Sequence, residues 1–198
     1  MPDFREVIPG TRGSAGHASL ADLQTAMAVG ELTSAELTGF YLQRIDRLNP
    51  ALHAVITVNL NAAAEAAASD AVRAGPTGPR GPLEGIPVLV KDNVQVAGMP
   101  TTAGSPALLS AEPDDAFLVA RLREAGAVII GKANLSEWAN FRSTHSTSGW
   151  STLGGQTANP YALDRNPSGS SAGWMTLKCF RNCSEMPSVA ISTEVWPR

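Results

Sequence analysis

Two short apolar runs, one on each side of a helix-like segment, constrain the fold most. The runs Ile86–Val90 and Ala127–Ile130 are apolar throughout and do not alternate with polar residues. Continuous apolar runs of this length are typical of strands covered on both faces. Between them, Asp114 and Asp115 are expected to open a helix that ends at Gly126. A strand, a helix and a second strand in this order predict a parallel α/β arrangement.

Local sequence patterns before and after the two apolar runs predict further helices and one strand. Ser19 with Asp22, and Thr33 with Glu36, have the spacing of helix N-caps, the second pair forming a capping box. Asn134 with Glu137 has the same spacing, so we expect a helix after the second apolar run, leading through Trp138 into a polar loop. The other expected elements are a helix ending near Asn49 and Pro50, a strand over residues 54–58 and a helix over residues 61–74.

The composition excludes several classes of protein. The chain has 198 residues, of which 43% are hydrophobic and 17% charged, enough for one core. Its net charge of −3, with both signs well mixed, argues against nucleic acid and membrane surfaces as partners and favours a small neutral one. No secretory signal is visible, so we expect a cytoplasmic protein. Cys179 and Cys183 lack a second ligand pair, so no metal site is expected.

Lys91 directly follows the first apolar run, and two interpretations of it are open. A lysine at a strand end can extend its charged head into solvent. Alternatively the amine is desolvated, which lowers the pKa of a lysine and lets it act as a general base near neutral pH. Ser170 and Ser171 form a serine pair among small residues, and such segments are usually turns.

Several segments together favour the functional interpretation of Lys91 and the serine pair, because in their order and spacing they resemble the amidase signature family. The resemblance extends over residues 19–173, and residues 136–142 and 148–151 are most similar to bacterial peptide amidases. It implies an α/β/α sandwich with a mixed, largely parallel sheet, of which this chain holds the N-terminal part. The matching segments are residues 85–93, 114–117, 131–139, 154–160 and 167–173.

The resemblance also implies a reaction and its residues. Lys91 matches the general base, and Ser170 matches a bridging serine whose preceding peptide bond is cis. A separate nucleophilic serine attacks an amide carbonyl and forms an acyl-enzyme, with no metal or organic cofactor. Gly169, Ser171 and Gln156 are the expected substrate-binding residues, and the expected substrate is a small amide or a peptide amide.

The chain departs from the family pattern after Gly173. All eighteen glycines lie at or before that residue, and the composition of residues 174–198 changes abruptly. Glu194 stands where the resemblance places the nucleophilic serine, and no nearby serine has glycine neighbours to shape an oxyanion hole. We therefore expect an extension over residues 1–18, an amidase segment over 19–173 and an aberrant tail from a truncated or frameshifted reading frame. Such a chain is expected to be inactive.

Three functions remain open at this stage. The first is hydrolysis of a carboxamide C–N bond, as in peptide amidases. The second is the glutaminase subunit of a tRNA-dependent amidotransferase, which would require partner subunits. The third is a non-catalytic remnant or interaction fragment.

Overall fold

A three-stranded sheet forms the centre of the computed structural model, which describes residues 18–141 and 143–173. Its strands are β1 (Val55–Val58), β2 (Pro87–Lys91) and β3 (Val128–Ala133), in the order β1-β3-β2. β2 and β3 are parallel, as the strand–helix–strand pattern predicts, whereas β1 runs antiparallel to β3. The predicted mixed sheet is confirmed. The predicted tail over residues 174–198 and residues 1–17 of the predicted extension lie outside the described residues.

Helices flank the sheet where the sequence predicts them. The first two predicted N-caps are confirmed, since Ser19 and Thr33 each accept a backbone hydrogen bond and receive the reciprocal carboxylate contact of a capping box. None of the helices in the described part of the chain has the length and apolarity needed to cross a bilayer. The helices are α1 (Leu20–Ala28), α2 (Ser34–Leu52), α3 (Ala62–Ala74) and α4 (Phe117–Glu124).

Two helix boundaries differ from the prediction. α2 continues past Pro50 to Leu52, because burial of Leu52 anchors the last turn although proline lacks an N–H to donate. Asp115 does not cap α4. Its carboxylate instead accepts hydrogen bonds from the Ala97 N–H and from Arg123 Nε, so the helix begins later, at Phe117.

The two faces of the sheet are buried in separate clusters. Ile129 of β3 packs with Val88 and Val90 of β2, and with residues of α1 and α4, on one face. Val128 and Ile130 point the other way and pack against α2 and α3. Coverage on both faces explains why the two apolar runs do not alternate.

Glu84 forms a buried charged contact just before β2. Its carboxylate accepts hydrogen bonds from Arg80 Nε at 2.8 Å and Arg80 Nη2 at 2.7 Å, and also from the Ser69 hydroxyl. Burial raises the pKa of Glu84, but the hydrogen bonds from Arg80 and Ser69 outweigh that effect and lower it to about 2. The carboxylate therefore stays ionised well into the acid range.

We expect this contact to make the free energy of unfolding depend on pH in the acid range. A carboxyl whose pKa is depressed in the folded state stabilises the protein above its unfolded pKa, about 4.3. That stabilisation is lost as the pH falls from about 4.3 toward about 2. The difference between the two pKa values sets an upper limit of about 3 kcal/mol on this loss. We expect a smaller loss, because half-exposed Arg80 is screened by solvent. Urea unfolding at pH values from 7 to 2 should show this loss in the unmodified protein and not in Glu84→Gln. If the free energy of unfolding had the same pH dependence in both proteins, the prediction would be contradicted.

Candidate active site

Lys91 and Ser170 meet at the carboxyl end of β2. The Lys91 side chain is only 5% exposed, and its Nζ donates a hydrogen bond of 2.9 Å to Ser170 Oγ. The contact joins residues that are 79 positions apart in the sequence. The Lys91 side chain is therefore buried and its head group does not extend into solvent, whereas its role as a general base stays a prediction.

The loop that carries Ser170 is held by backbone atoms of the segment that follows β3. The Gly169–Ser170 peptide is cis, as the resemblance implies. The Ser136 N–H donates to the Ser170 carbonyl at 2.9 Å, and the Gly173 N–H donates to the Asn134 carbonyl at 2.9 Å. Residues 134–136 thus fix the serine loop on both sides of Ser171.

The predicted substrate-binding residues occupy different settings. Ser171 is buried, and its hydroxyl has no hydrogen-bond partner among the described residues. Gly169 is exposed, next to the Ser136 hydroxyl. Gln156 uses its amide nitrogen within the protein, donating to the carbonyls of Ser148 at 2.9 Å and Thr157 at 3.0 Å. The substrate contacts of all three remain predictions.

Asn134 does not cap a helix, and this prediction was wrong. Its Nδ2 donates to the His53 carbonyl at 2.9 Å and to Thr157 Oγ1 at 3.0 Å. Its Oδ1 accepts from Ser151 Oγ at 2.7 Å and from the Leu135 N–H at 2.9 Å. The side chain therefore joins the ends of α2 and β3 to a small hairpin formed by β4 (Trp150–Ser151) and β5 (Gly155–Gln156).

The expected helix after Asn134 is a short 3₁₀ turn, Glu137–Asn140. Trp138 and Ala139 inside this turn have φ angles of 50° and 52°, in the left-handed region, so no α-helix can continue. The Glu137 carboxylate, expected at the third helical position, instead accepts hydrogen bonds from the Thr152 N–H and hydroxyl.

Lys132 and Asp92 form a buried ion pair that the sequence analysis missed. Lys132 Nζ lies 3.2 Å from Asp92 Oδ1, and neither side chain has any exposed area. Burial lowers the pKa of Lys132, and the Asp92 carboxylate partly opposes that effect. One signal was available, because a lysine two residues after the apolar run that ends at Ile130 is unusual in a buried strand.

An open cavity of about 620 Å³ lies beside the carboxyl ends of β2 and β3. Its surface is largely apolar, and none of the five predicted site residues lines it. The described residues contain no cluster of three or more His, Cys, Asp or Glu side chains suited to a metal ion. The lining residues are Asn93, Val94, Gln95, Thr101, Ala103, Leu108, Ala111, Pro113, Ala116, Leu118, Leu135, Trp138, Ala139 and Phe141.

Comparison with known sequences agrees with this geometry. The model of the Amidase family matches residues 36–174. A protein of Arabidopsis thaliana described as a probable amidase is 49% identical over 159 residues, covering 79% of this chain and 31% of that protein. A glutamyl-tRNA(Gln) amidotransferase subunit from Symbiobacterium thermophilum is 43% identical over 157 residues, covering 78% of this chain and 31% of that protein.

Comparison with solved structures also finds similarity to amidases. The native peptide amidase of Stenotrophomonas maltophilia is 56% identical, with a TM-score of 0.77, over 79% of this chain and 33% of that one. The chain therefore belongs to the amidase signature family. It spans about a third of the length of the relatives it matches.

Proposed function

We propose that this chain carries the proton-relay half of an amidase centre that hydrolyses a carboxamide C–N bond. The observation that supports the proposal is the 2.9 Å contact between the buried Lys91 amine and Ser170 Oγ. A neutral amine at this position is within reach of the Ser170 proton, and we propose that Ser170 in turn accepts a proton from a nucleophilic serine.

The reaction that follows from these roles has two stages. The nucleophilic serine attacks the amide carbonyl while its proton passes through Ser170 to Lys91. The proton then returns to the leaving nitrogen, the C–N bond breaks, and ammonia or an amine departs from an acyl-enzyme. Water hydrolyses the ester by the same relay. Glu194 stands where the resemblance places the nucleophilic serine, so we predict that residues 1–198 alone release no ammonia.

The proposed substrate is a C-terminal peptide amide or a small aliphatic amide. The 56% identity with a peptide amidase supports this choice. The largely apolar cavity beside the strand ends is suited to a hydrophobic side chain next to the amide. Ser171, with its buried and unpaired hydroxyl, is proposed to contact the substrate, together with Gly169 and Gln156.

A glutaminase subunit of a tRNA-dependent amidotransferase is the second candidate, supported by the 43% identity to the amidotransferase protein from Symbiobacterium thermophilum. It differs in substrate, since free glutamine replaces the peptide amide, and it requires partner subunits. The third candidate, a non-catalytic remnant or interaction fragment, predicts no turnover in any context.

A hybrid enzyme separates these candidates. In it, residues 19–173 of this chain replace the aligned segment of the Stenotrophomonas maltophilia peptide amidase, which supplies the remainder of the domain. We expect the hybrid to release ammonia from a C-terminally amidated dipeptide, whereas the 198-residue chain does not. Ammonia is measured by a coupled assay, and the unmodified peptide amidase is the control.

Each other outcome has a definite meaning. Release from free glutamine but not from the dipeptide amide would favour the glutaminase. A folded hybrid that is inactive on both substrates would contradict the amidase proposal and favour the non-catalytic remnant. Turnover by the 198-residue chain alone would overturn the predicted lack of a nucleophile. The cytoplasmic location also remains a prediction, which fractionation of expressing cells tests.

A further inference from the structure

The buried pair of Lys132 and Asp92 lies directly beside the relay lysine. Asp92 follows Lys91 in the chain, and its N–H donates to the Ala133 carbonyl, which continues the ladder between β2 and β3. Lys132 lies opposite Val90 in the parallel register of the same two strands. Two opposite charges are therefore buried within one residue position of Lys91, although neither belongs to the relay itself.

Further hydrogen bonds hold both charges in place. Lys132 Nζ donates to Thr101 Oγ1 at 2.8 Å and to the Pro100 carbonyl at 3.2 Å. On the acid side, Asp92 Oδ2 accepts from the Thr102 hydroxyl and from the Gly104 N–H. Replacing a buried ion pair by apolar residues is often neutral or stabilising, so a contribution to stability is a weak explanation for this one.

The charge on Asp92 has a specific consequence for Lys91. A general base must be neutral when it acts, and a buried carboxylate nearby favours the charged ammonium form of a lysine. The Asp92 carboxylate contacts Lys132, Thr102 and Gly104, so we expect it to influence Lys91 through space. An uncompensated carboxylate here would oppose the role of Lys91 in the relay.

Two described segments near Lys91 and the ion pair add no charge to this part of the protein. Residues 99–104, which pack against the pair, and the serine loop over residues 166–173 carry no charged side chain. Glu137 follows β3, and its carboxylate accepts hydrogen bonds from Thr152. Lys132 is thus the basic side chain that faces Asp92 from the neighbouring strand.

We propose that Lys132 is a positioning residue for the relay, because its ammonium group cancels the charge of Asp92 and so keeps Lys91 in its neutral, basic form. The inference rests on the proposed function in treating Lys91 as the base. The electrostatic effect that we propose concerns only the protonation of Lys91. The protonation of Lys91 can be measured without enzymatic turnover.

The lysine content of the chain makes that measurement direct. The 198 residues contain three lysines, at positions 91, 132 and 178. Lysine labelled with ¹³C at the ε-carbon therefore gives three NMR signals, which single Lys→Arg variants assign. We expect Lys132→Met to raise the titration midpoint of Lys91 by about one pH unit, and Asp92→Asn to lower it by a similar amount. The double variant should return the midpoint close to that of the unmodified chain.

A purely structural role for the pair predicts a different pattern. In that case the variants would lower the thermal midpoint of unfolding while the titration midpoint of Lys91 in the folded protein stayed constant, which would overturn the proposal. Thr101→Val is the matched control, because it removes one hydrogen bond to Lys132 without changing a charge. We expect it to leave the Lys91 midpoint unchanged.

The unmodified protein and the hybrid amidase provide independent tests if single variants do not fold. In the unmodified chain the Lys91 signal should titrate below the ordinary lysine midpoint of about 10.4, and a midpoint at or above that value would overturn the proposal. In the hybrid, Lys132→Met should shift the acid limb of the pH profile of kcat/KM by about one unit to higher pH. An unchanged limb would contradict the proposal, whereas an inactive hybrid with the NMR shifts present would contradict only the proposed function.

Discussion

Replacing Lys91 by Met in the hybrid amidase is expected to lower kcat/KM for the amidated dipeptide by at least about 10³-fold. The Lys91 amine lies 2.9 Å from Ser170 Oγ, within reach of its proton, and methionine retains the length and apolar stem of lysine without a basic atom. Ser170→Ala should cause a loss of similar size, because it interrupts the same relay. The double variant should be little worse than either single variant, since the two residues act as a unit.

Ser168→Gly is the matched control for the serine change. Ser168 lies two residues before Ser170 in the same loop, is exposed, and has a φ angle of 69°, which glycine adopts readily. We expect less than about a threefold change in kcat/KM for this variant, which corresponds to about 0.6 kcal/mol. Stopped assays at several pH values and circular dichroism of each variant measure the effects. Full activity of Lys91→Met in a folded hybrid would show that the relay assignment is wrong.

Replacing Asn134 by Ala is expected to cost about 3–4 kcal/mol of the free energy of unfolding. The side chain is fully buried, and its removal leaves the Leu135 N–H and the Ser151 hydroxyl without the acceptor they use. The His53 carbonyl also loses one of its donors.

Two further variants test the cause of that loss. Asn61→Ala is the control, because Asn61 is exposed and its side chain makes no capping hydrogen bond, so we expect a change within about 0.5 kcal/mol. Asn134→Asp retains the acceptor atom but replaces the donor that faces the His53 carbonyl by a second oxygen. It should therefore destabilise the protein nearly as much as alanine does. Urea unfolding of the hybrid measures all three variants, and a wild-type stability for Asn134→Asp would contradict this account.

The sequence predicted those parts of the fold that depend on local pattern. The buried strands were recognised because both of their faces are apolar, and the first two N-caps because a short side chain and an acid stood three residues apart. The resemblance, together with the unusual lysine after an apolar run, predicted a contact between Lys91 and Ser170, and the two side chains do meet, whereas their roles stay predictions. These patterns involve residues that are close together in the sequence, so they can be recognised without knowledge of the tertiary structure.

The features that were missed depend on partners far away in the sequence. Asn134 and Glu137 have the spacing of a helix start, but the His53 carbonyl and Thr152 compete for their side chains. Asp115 likewise does not cap a helix, because its carboxylate accepts hydrogen bonds from Arg123 and the Ala97 N–H. The pairing of Lys132 with Asp92 requires the register of two strands, which no local pattern supplies.

The attachment of the serine loop to residues 134–136 has a consequence for how such enzymes diverge. Both attachments, at Ser170 and at Gly173, use backbone atoms alone, so they do not depend on which side chains the neighbouring positions carry. The same stretch of chain continues into Trp138 and Phe141, which line the cavity. Under the proposed function, substitutions there would reshape the pocket for new amides while the distance between Lys91 and Ser170 is retained. The chemistry and the choice of substrate can therefore evolve separately, although a few consecutive residues support both.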